Sequence, residues 1–178
     1  MKIKNIFCDL DNTLIDTSRG IVECCRKENP KMDIPEYGTV ELDWKFTNYN
    51  LPKDYWKYFA NAKAYKKEYI IEDAITTLKI LKDRGYRLFV LTRSNMGLDM
   101  KMSKLWKYFP FMDGVIFLAS YNFEDKTLVA NDDESILIDD SQKQWLEESM
   151  EYCLENIIGI KKLEKVENIF VLKIGKKY

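Results

Sequence analysis

The residue types most able to do chemistry cluster at four points of the 178-residue chain. The first is Asp9-Leu10-Asp11-Asn12-Thr13-Leu14, directly after the apolar run IKNIFC at 3–8. Alternation along an extended backbone puts the Asp9 and Asp11 side chains on one side. Two carboxylates aimed into one crevice repel each other unless a cation lies between them, and oxygen-only donors suit Mg²⁺. The second is Thr92-Arg93-Ser94, where a hydroxyl and successive backbone N–H groups at a strand-to-helix turn would cradle an anion. The third is Lys126, in Glu124-Asp125-Lys126-Thr127, a point charge able to neutralise a phosphoryl group. The fourth is Asp139-Asp140, after the apolar SILI at 135–138, which could add a metal ligand and a neighbouring acceptor. Each cluster also has a plainer reading. Acids can simply solvate a strand end, Ser94 or Asn95 can cap a helix, Lys126 can be one surface lysine among many, and Asp or Ser can cap a helix from 141.

Composition narrows the chemistry. The chain has no histidine, which removes Ser-His-Asp and Cys-His catalysis and His-ligated zinc or iron. Lys and Arg number 28 and Asp and Glu 29, a net charge of −1. That balance speaks against a surface built to grip nucleic acid or anionic lipid. Cys8, Cys24, Cys25 and Cys153 contain no C-x-x-C pair, so neither a disulfide framework nor a zinc site is expected, and a reducing cytoplasm is the expected compartment. No run approaches the roughly 18 apolar residues of a membrane span, and the N-terminal stretch lacks the pattern of a secretory signal.

The elements that must position these residues follow from periodicity. Short apolar runs predict strands at 3–8, 86–91, 114–118, 135–138 and 168–174, and helical spacing predicts helices at 17–28, 73–84, 97–108 and 141–155, with another from Pro52. Strands alternating with helices predict an α/β domain with a mostly parallel sheet and helices on both faces. The first two strands are far more than the roughly 30 residues of a βαβ unit apart. Residues 16–70 are therefore expected to be an inserted subdomain. Ten aromatic residues fall in that stretch, more than a small helical lid should bury alone, so some are expected to face the carboxyl edge of the sheet.

With these motifs in order, the chain resembles the haloacid-dehalogenase (HAD) superfamily of phosphohydrolases over nearly its whole length. The resemblance implies a Rossmann-like three-layer fold, with a core of 1–15 and 71–178 and a small helical cap at 16–70. Within the superfamily, the insertion, the EDKTLV stretch and the LIDD ending are most similar to 5′(3′)-deoxyribonucleotidases, which carry D-x-D-G-V where this chain has DLDNTL. It further implies Asp9 as the nucleophile forming an aspartyl-phosphate and Asp11 as acid and base. Mg²⁺ would be held by Asp9, the Asp11 backbone carbonyl and Asp139 or Asp140. Thr92, the Arg93 backbone and Lys126 would hold the phosphoryl group, with Lys104, Lys107 and Lys143 as rival lysines. Asp11 can act as the acid only if it holds its proton more tightly than Asp9, and burial beside a second carboxylate is expected to arrange that.

The expected substrate is a small phosphate ester, with (deoxy)nucleoside monophosphates leading and Trp44, Phe46, Trp56 and Phe59 placed to stack on a base. Neither a stable nucleic-acid partner nor a membrane is expected, and the chain would act as a monomer or homodimer. Other readings are a phosphatase for another small ester or a polynucleotide end, and a catalytically silent binding module on the same fold.

Overall fold

The apolar run after Lys4 becomes the central strand of a five-stranded sheet in a computed structural model, which describes residues 3–43, 45–67, 69–93, 98–118, 126, 134–139 and 171–173. The strands are β1 (Asn5–Cys8), β2 (Arg87–Arg93), β3 (Gly114–Leu118), β4 (Ser135–Ile138) and β5 (Val171–Lys173), in the order β3-β2-β1-β4-β5. The first four pair in parallel and β5 runs antiparallel to β4. This is the mostly parallel α/β sheet that the sequence predicts.

Register explains the core. Ile6 pairs with Leu88 and Ile136, and Cys8 with Val90 and Ile138. These two rows lie on one face of the sheet and are buried with Leu78 and Leu81 of α3 (Ala74–Asp83), Leu105 of α4 (Leu98–Tyr108), and Phe109. The other face carries Phe7, Leu91 and Leu137, with the Phe7 and Phe89 rings stacked at 5.1 Å. The described helices α3 and α4 both cover the first face; the helix expected at 141–155 lies outside the described residues. Thr92 and Arg93 belong to β2, which extends two residues beyond the expected Leu91, because they pair with Phe117 and Leu118.

Between β1 and α3 the chain builds α1 (Thr17–Glu28), a 3₁₀ turn at Thr47–Tyr49, α2 (Trp56–Ala60) and a second 3₁₀ turn at Lys63–Tyr65. Asp16 caps α1 by accepting from the Arg19 N–H at 3.0 Å. The inner side of α1 (Ile21, Val22 and Cys25) is buried against Ile34, Phe46, Tyr49, Tyr58 and Ala64. This segment thus has an apolar cluster of its own, while Tyr65 and Phe59 reach Asp11 and Lys101 at the carboxyl end of the sheet. The helix anticipated from Pro52 begins only at Trp56, because the Tyr55 N–H turns back to the Pro52 carbonyl at 2.9 Å.

Two contacts fasten α1 to the end of the insert. At Gly20 a Cβ would stand 2.2 Å from the Ala64 backbone oxygen, so α1 and the second 3₁₀ turn touch backbone to backbone. Glu23 accepts from Arg19 at 3.1 Å, and from Lys67 and Tyr69. Partial burial would lift this carboxyl, but its three donors hold it at about 2.

Gly20→Ala is expected to cost about 1–3 kcal/mol by overpacking, read as a fall in the urea midpoint. The exposed Lys27→Ala on the same helix should stay within about 0.5 kcal/mol, and equal shifts would show that the two segments part freely. Glu23 binds its proton more weakly folded than unfolded, so its contribution is present above pH 4.5 and is lost as pH falls toward about 2. The stability difference between wild type and Glu23→Gln should shrink across that window; a constant difference would contradict the assignment.

Candidate active site

The parallel register brings the polar clusters to one end of the sheet. The Asp9 N–H donates to the Ile138 carbonyl at 2.8 Å, so β1 and β4 stay paired up to the point where Asp9 and Asp139 emerge side by side. Both are buried, and Lys126 lies between them, its Nζ 2.6 Å from Asp9 Oδ1 and 2.7 Å from Asp139 Oδ2. Among the four candidate lysines, Lys126 is shown to meet both carboxylates. Lys104 is buried on α4, Lys107 lies over the Tyr108 ring, and Lys143 is outside the described residues.

Burial lifts the Asp9 carboxyl, Lys126 pulls it down, and the charges of Asp139 and Asp11 lift it again; the balance lies at about 7. A third carboxylate, Asp139, adds to the crowding at Asp9. Burial works against the Lys126 charge, yet Asp9 and Asp139 raise it above an ordinary lysine. Cys8, directly below, is pushed up to about 12 by burial and by Asp9, so it is no thiolate nucleophile.

Asp11 is held differently. Its Oδ1 accepts from Thr17 Oγ1 at 2.8 Å and from the Tyr65 hydroxyl, and its Oδ2 from Lys101 Nζ at 2.5 Å. Thr17 and Tyr65 come from the insert and Lys101 from α4. The Asp9–Asp11 loop is fixed by Asn12, which takes φ 58, a conformation asparagine tolerates better than most residues. Asn12 donates to Ser18 Oγ at 2.7 Å and accepts from the Ser18 N–H at 2.9 Å, tying the loop to α1.

Sequence reasoning missed Thr17, Tyr65 and Lys101. The available sign was a lysine four residues before Leu105, on the buried side of α4.

Thr13 Oγ1 and Thr92 Oγ1 are buried and have no hydrogen-bond partner among the described residues. Orphaned hydroxyls of this kind are donors awaiting an acceptor. Arg93 follows Thr92 at the end of β2; Ser94 is outside the described residues.

A hard divalent cation suits the donor set, which is oxygen-only with more carboxylate than the one ammonium of Lys126 can balance. Asp140 lies outside the described residues, and among those described no group of three or more His, Cys, Asp or Glu is arranged to hold a metal. Nor is any helix among them long and apolar enough to cross a membrane.

The aromatics expected to meet a base separate. Phe46 is 4% exposed and packs edge-on against Tyr49 and Tyr55; the insert's own interior takes it. Phe59 is partly buried, with Lys101 Nζ 5.0 Å from its ring centroid. Trp56 is 59% exposed. Trp44 lies outside the described residues.

No protein-family model matches the chain, and no curated protein matches it. Solved structures do. A haloacid dehalogenase-like family hydrolase from Streptococcus pneumoniae aligns over 79% of this chain and 77% of its own, at 23% identity and a TM-score of 0.52. A predicted phosphatase from Clostridium acetobutylicum aligns over 77% and 76%, at 20% identity and a TM-score of 0.48. The HAD-hydrolase YfnB from Bacillus subtilis, solved bound to magnesium, aligns over 66% and 64%, at 13% identity and a TM-score of 0.43. The first of these identifies the fold as the Rossmann-like α/β fold of HAD-type hydrolases.

If Lys126 is what keeps Asp9 and Asp139 together, Lys126→Met and Asp139→Asn will not be additive. A double-mutant cycle by denaturant titration should give a coupling of about 1–3 kcal/mol. Additive losses would mean that the buried ion pairs act independently.

Proposed function

We propose that this protein is an Mg²⁺-dependent phosphomonoesterase that works through an aspartyl-phosphate on Asp9, with nucleoside monophosphates as the leading substrate class. The observation that carries the reading is a buried carboxylate, Asp9, fixed by a lysine that it shares with Asp139 and accompanied by the unpartnered hydroxyls of Thr13 and Thr92. The names of the structural neighbours, hydrolases and phosphatases of the HAD superfamily, support the same reading. The absence of histidine from the sequence leaves the chemistry to carboxylates, lysines, hydroxyls and a hard cation.

In this reading an Asp9 oxygen attacks phosphorus. The bond from phosphorus to the leaving oxygen breaks, its electron pair departs with that oxygen, and Asp11 supplies the proton. Water then attacks the aspartyl-phosphate and gives its proton to Asp11, and the Asp9–phosphorus bond breaks to release inorganic phosphate. Thr92 and Thr13 donate to phosphoryl oxygens, and Lys126 offsets their charge while holding Asp9 in line. Asp9, the Asp11 carbonyl and Asp139 or Asp140 would hold Mg²⁺, which would neutralise phosphoryl charge and pull the Asp9 carboxyl back down. Among the aromatics expected to stack on a base, Trp56 is the described one with an exposed face. The free thiols of Cys8, Cys24 and Cys25 fit a cytoplasmic enzyme.

Phosphate release is the test, measured across nucleoside 5′- and 3′-monophosphates, sugar phosphates and an aryl phosphate. Release is expected with Mg²⁺, to be lost with a chelator, and not to recover with Ca²⁺, whose looser shell misaligns the attack. Asp9→Asn should fold and release nothing. An active Asp9→Asn protein would overturn the nucleophile, and equal rates with Mg²⁺ and Ca²⁺ would overturn the metal's role.

A further inference from the structure

The outer side of α1 borders a groove of about 460 Å³, a volume within the range of small-molecule sites. Arg19, Glu23, Arg26 and Lys27, at helical spacing on one side of α1, line it together with Glu36 and Tyr37 from the segment that follows. Two of these residues are held firmly. The Tyr37 hydroxyl donates to Asp16 Oδ1 at 2.8 Å, and its ring stacks with that of Tyr49 at 6.2 Å. Arg19 donates from Nε to Glu23 at 3.1 Å, and its guanidinium lies 4.2 Å from the Tyr69 ring centroid. A groove whose lining is already ordered costs a ligand less entropy than one that it must order.

Charge decides what the groove can take. Glu23 is matched by Arg19 and by Lys67. Arg26, Lys27 and Glu36 form no ion pair among the described residues, so two cations stand against one carboxylate in a chain whose net charge is −1. Both cations lie in the last turn of α1, where they offset the helix dipole. That accounts for basic residues at this place and still leaves the groove with positive charge in excess. Arg26 brings a planar fork of donors and Lys27 a compact ammonium, a combination that suits phosphate or carboxylate oxygens. We propose that the groove is a binding site for a small polyanion, a molecule carrying two or more phosphate or carboxylate groups, held by Arg26 and Lys27 beside the Tyr37 ring. The site shares no residue with the Asp9, Asp11 and Asp139 cluster, so it stands or falls apart from the phosphomonoesterase reading.

Calorimetric titration of the full chain with pyrophosphate and with citrate, in metal-free buffer, tests it. At least one of the two should bind, and the one that binds tells phosphate from carboxylate. The double variant Arg26→Ala/Lys27→Ala should weaken that binding about tenfold. Glu36→Gln removes the opposing carboxylate and should tighten it. Lys45→Ala/Lys53→Ala makes the same change of charge outside the groove and should alter the affinity less than about twofold. All five positions are exposed, so the variants should fold as the wild type does. No binding of either probe, equal weakening by the two double variants, or weaker binding by Glu36→Gln would overturn the assignment. Binding that Arg26→Ala/Lys27→Ala leaves unchanged would overturn it as well, and would move the anion to the end of the sheet beside Thr92 and Lys126.

Discussion

Three buried carboxylates at one end of a sheet set the terms for everything around them. Asp9, Asp11 and Asp139 are each under 10% exposed, and no protein interior holds three such charges without cations or donors to match. Two lysines divide the task. Lys126 joins Asp9 to Asp139, while Lys101 takes Asp11 together with two hydroxyls from the insert. The compensation is incomplete at Asp9, and that deficit suits the place to a divalent cation.

The insert takes part in this balance as well as covering it. Its first helix supplies Thr17 and its last turn supplies Tyr65, and those two segments meet at Gly20 and Ala64. Asn12 adds a link from the loop to Ser18. The hydrogen bonds that orient Asp11 therefore depend on the packing of the insert, so substitutions well away from the carboxylates reach them through Gly20 and Ala64.

Much of this was legible in the sequence. The bounds of α1, β3 and β4 follow from their caps and apolar runs, and parallel strands alternating with helices put the Asp9 and Asp139 motifs at the same end. What stayed hidden shares one physical cause. Lys101 and Tyr65 matter only through a carboxylate 90 and 54 residues away in the chain, and a lysine within a polar helix or one tyrosine among ten aromatics carries no local mark of such a contact. Phe46 fails in the opposite direction. An aromatic in an irregular polar stretch looks available for a ligand, yet it fills the insert's interior because Tyr49 and Tyr55 close around it. The second strand runs past the expected Leu91 through Thr92 and Arg93, because β3 is long enough to pair with them.

The central place of β1 has a consequence for how the chain is made. As the chain emerges, β1 gains one neighbour at Arg87–Val90 and the other only at Ser135–Ile138. Loop closure over such separations slows folding. At translation rates of about 5–20 residues per second, the 45 residues from Ser94 through Ile138 take about two to nine seconds to appear. During that interval β1 keeps an open, apolar edge, and Asp9 waits without the strand that brings Asp139 beside it. Nascent chains halted before residue 135 should therefore be the most adhesive form of this protein, and the most dependent on whatever shields unpaired strands in the cell.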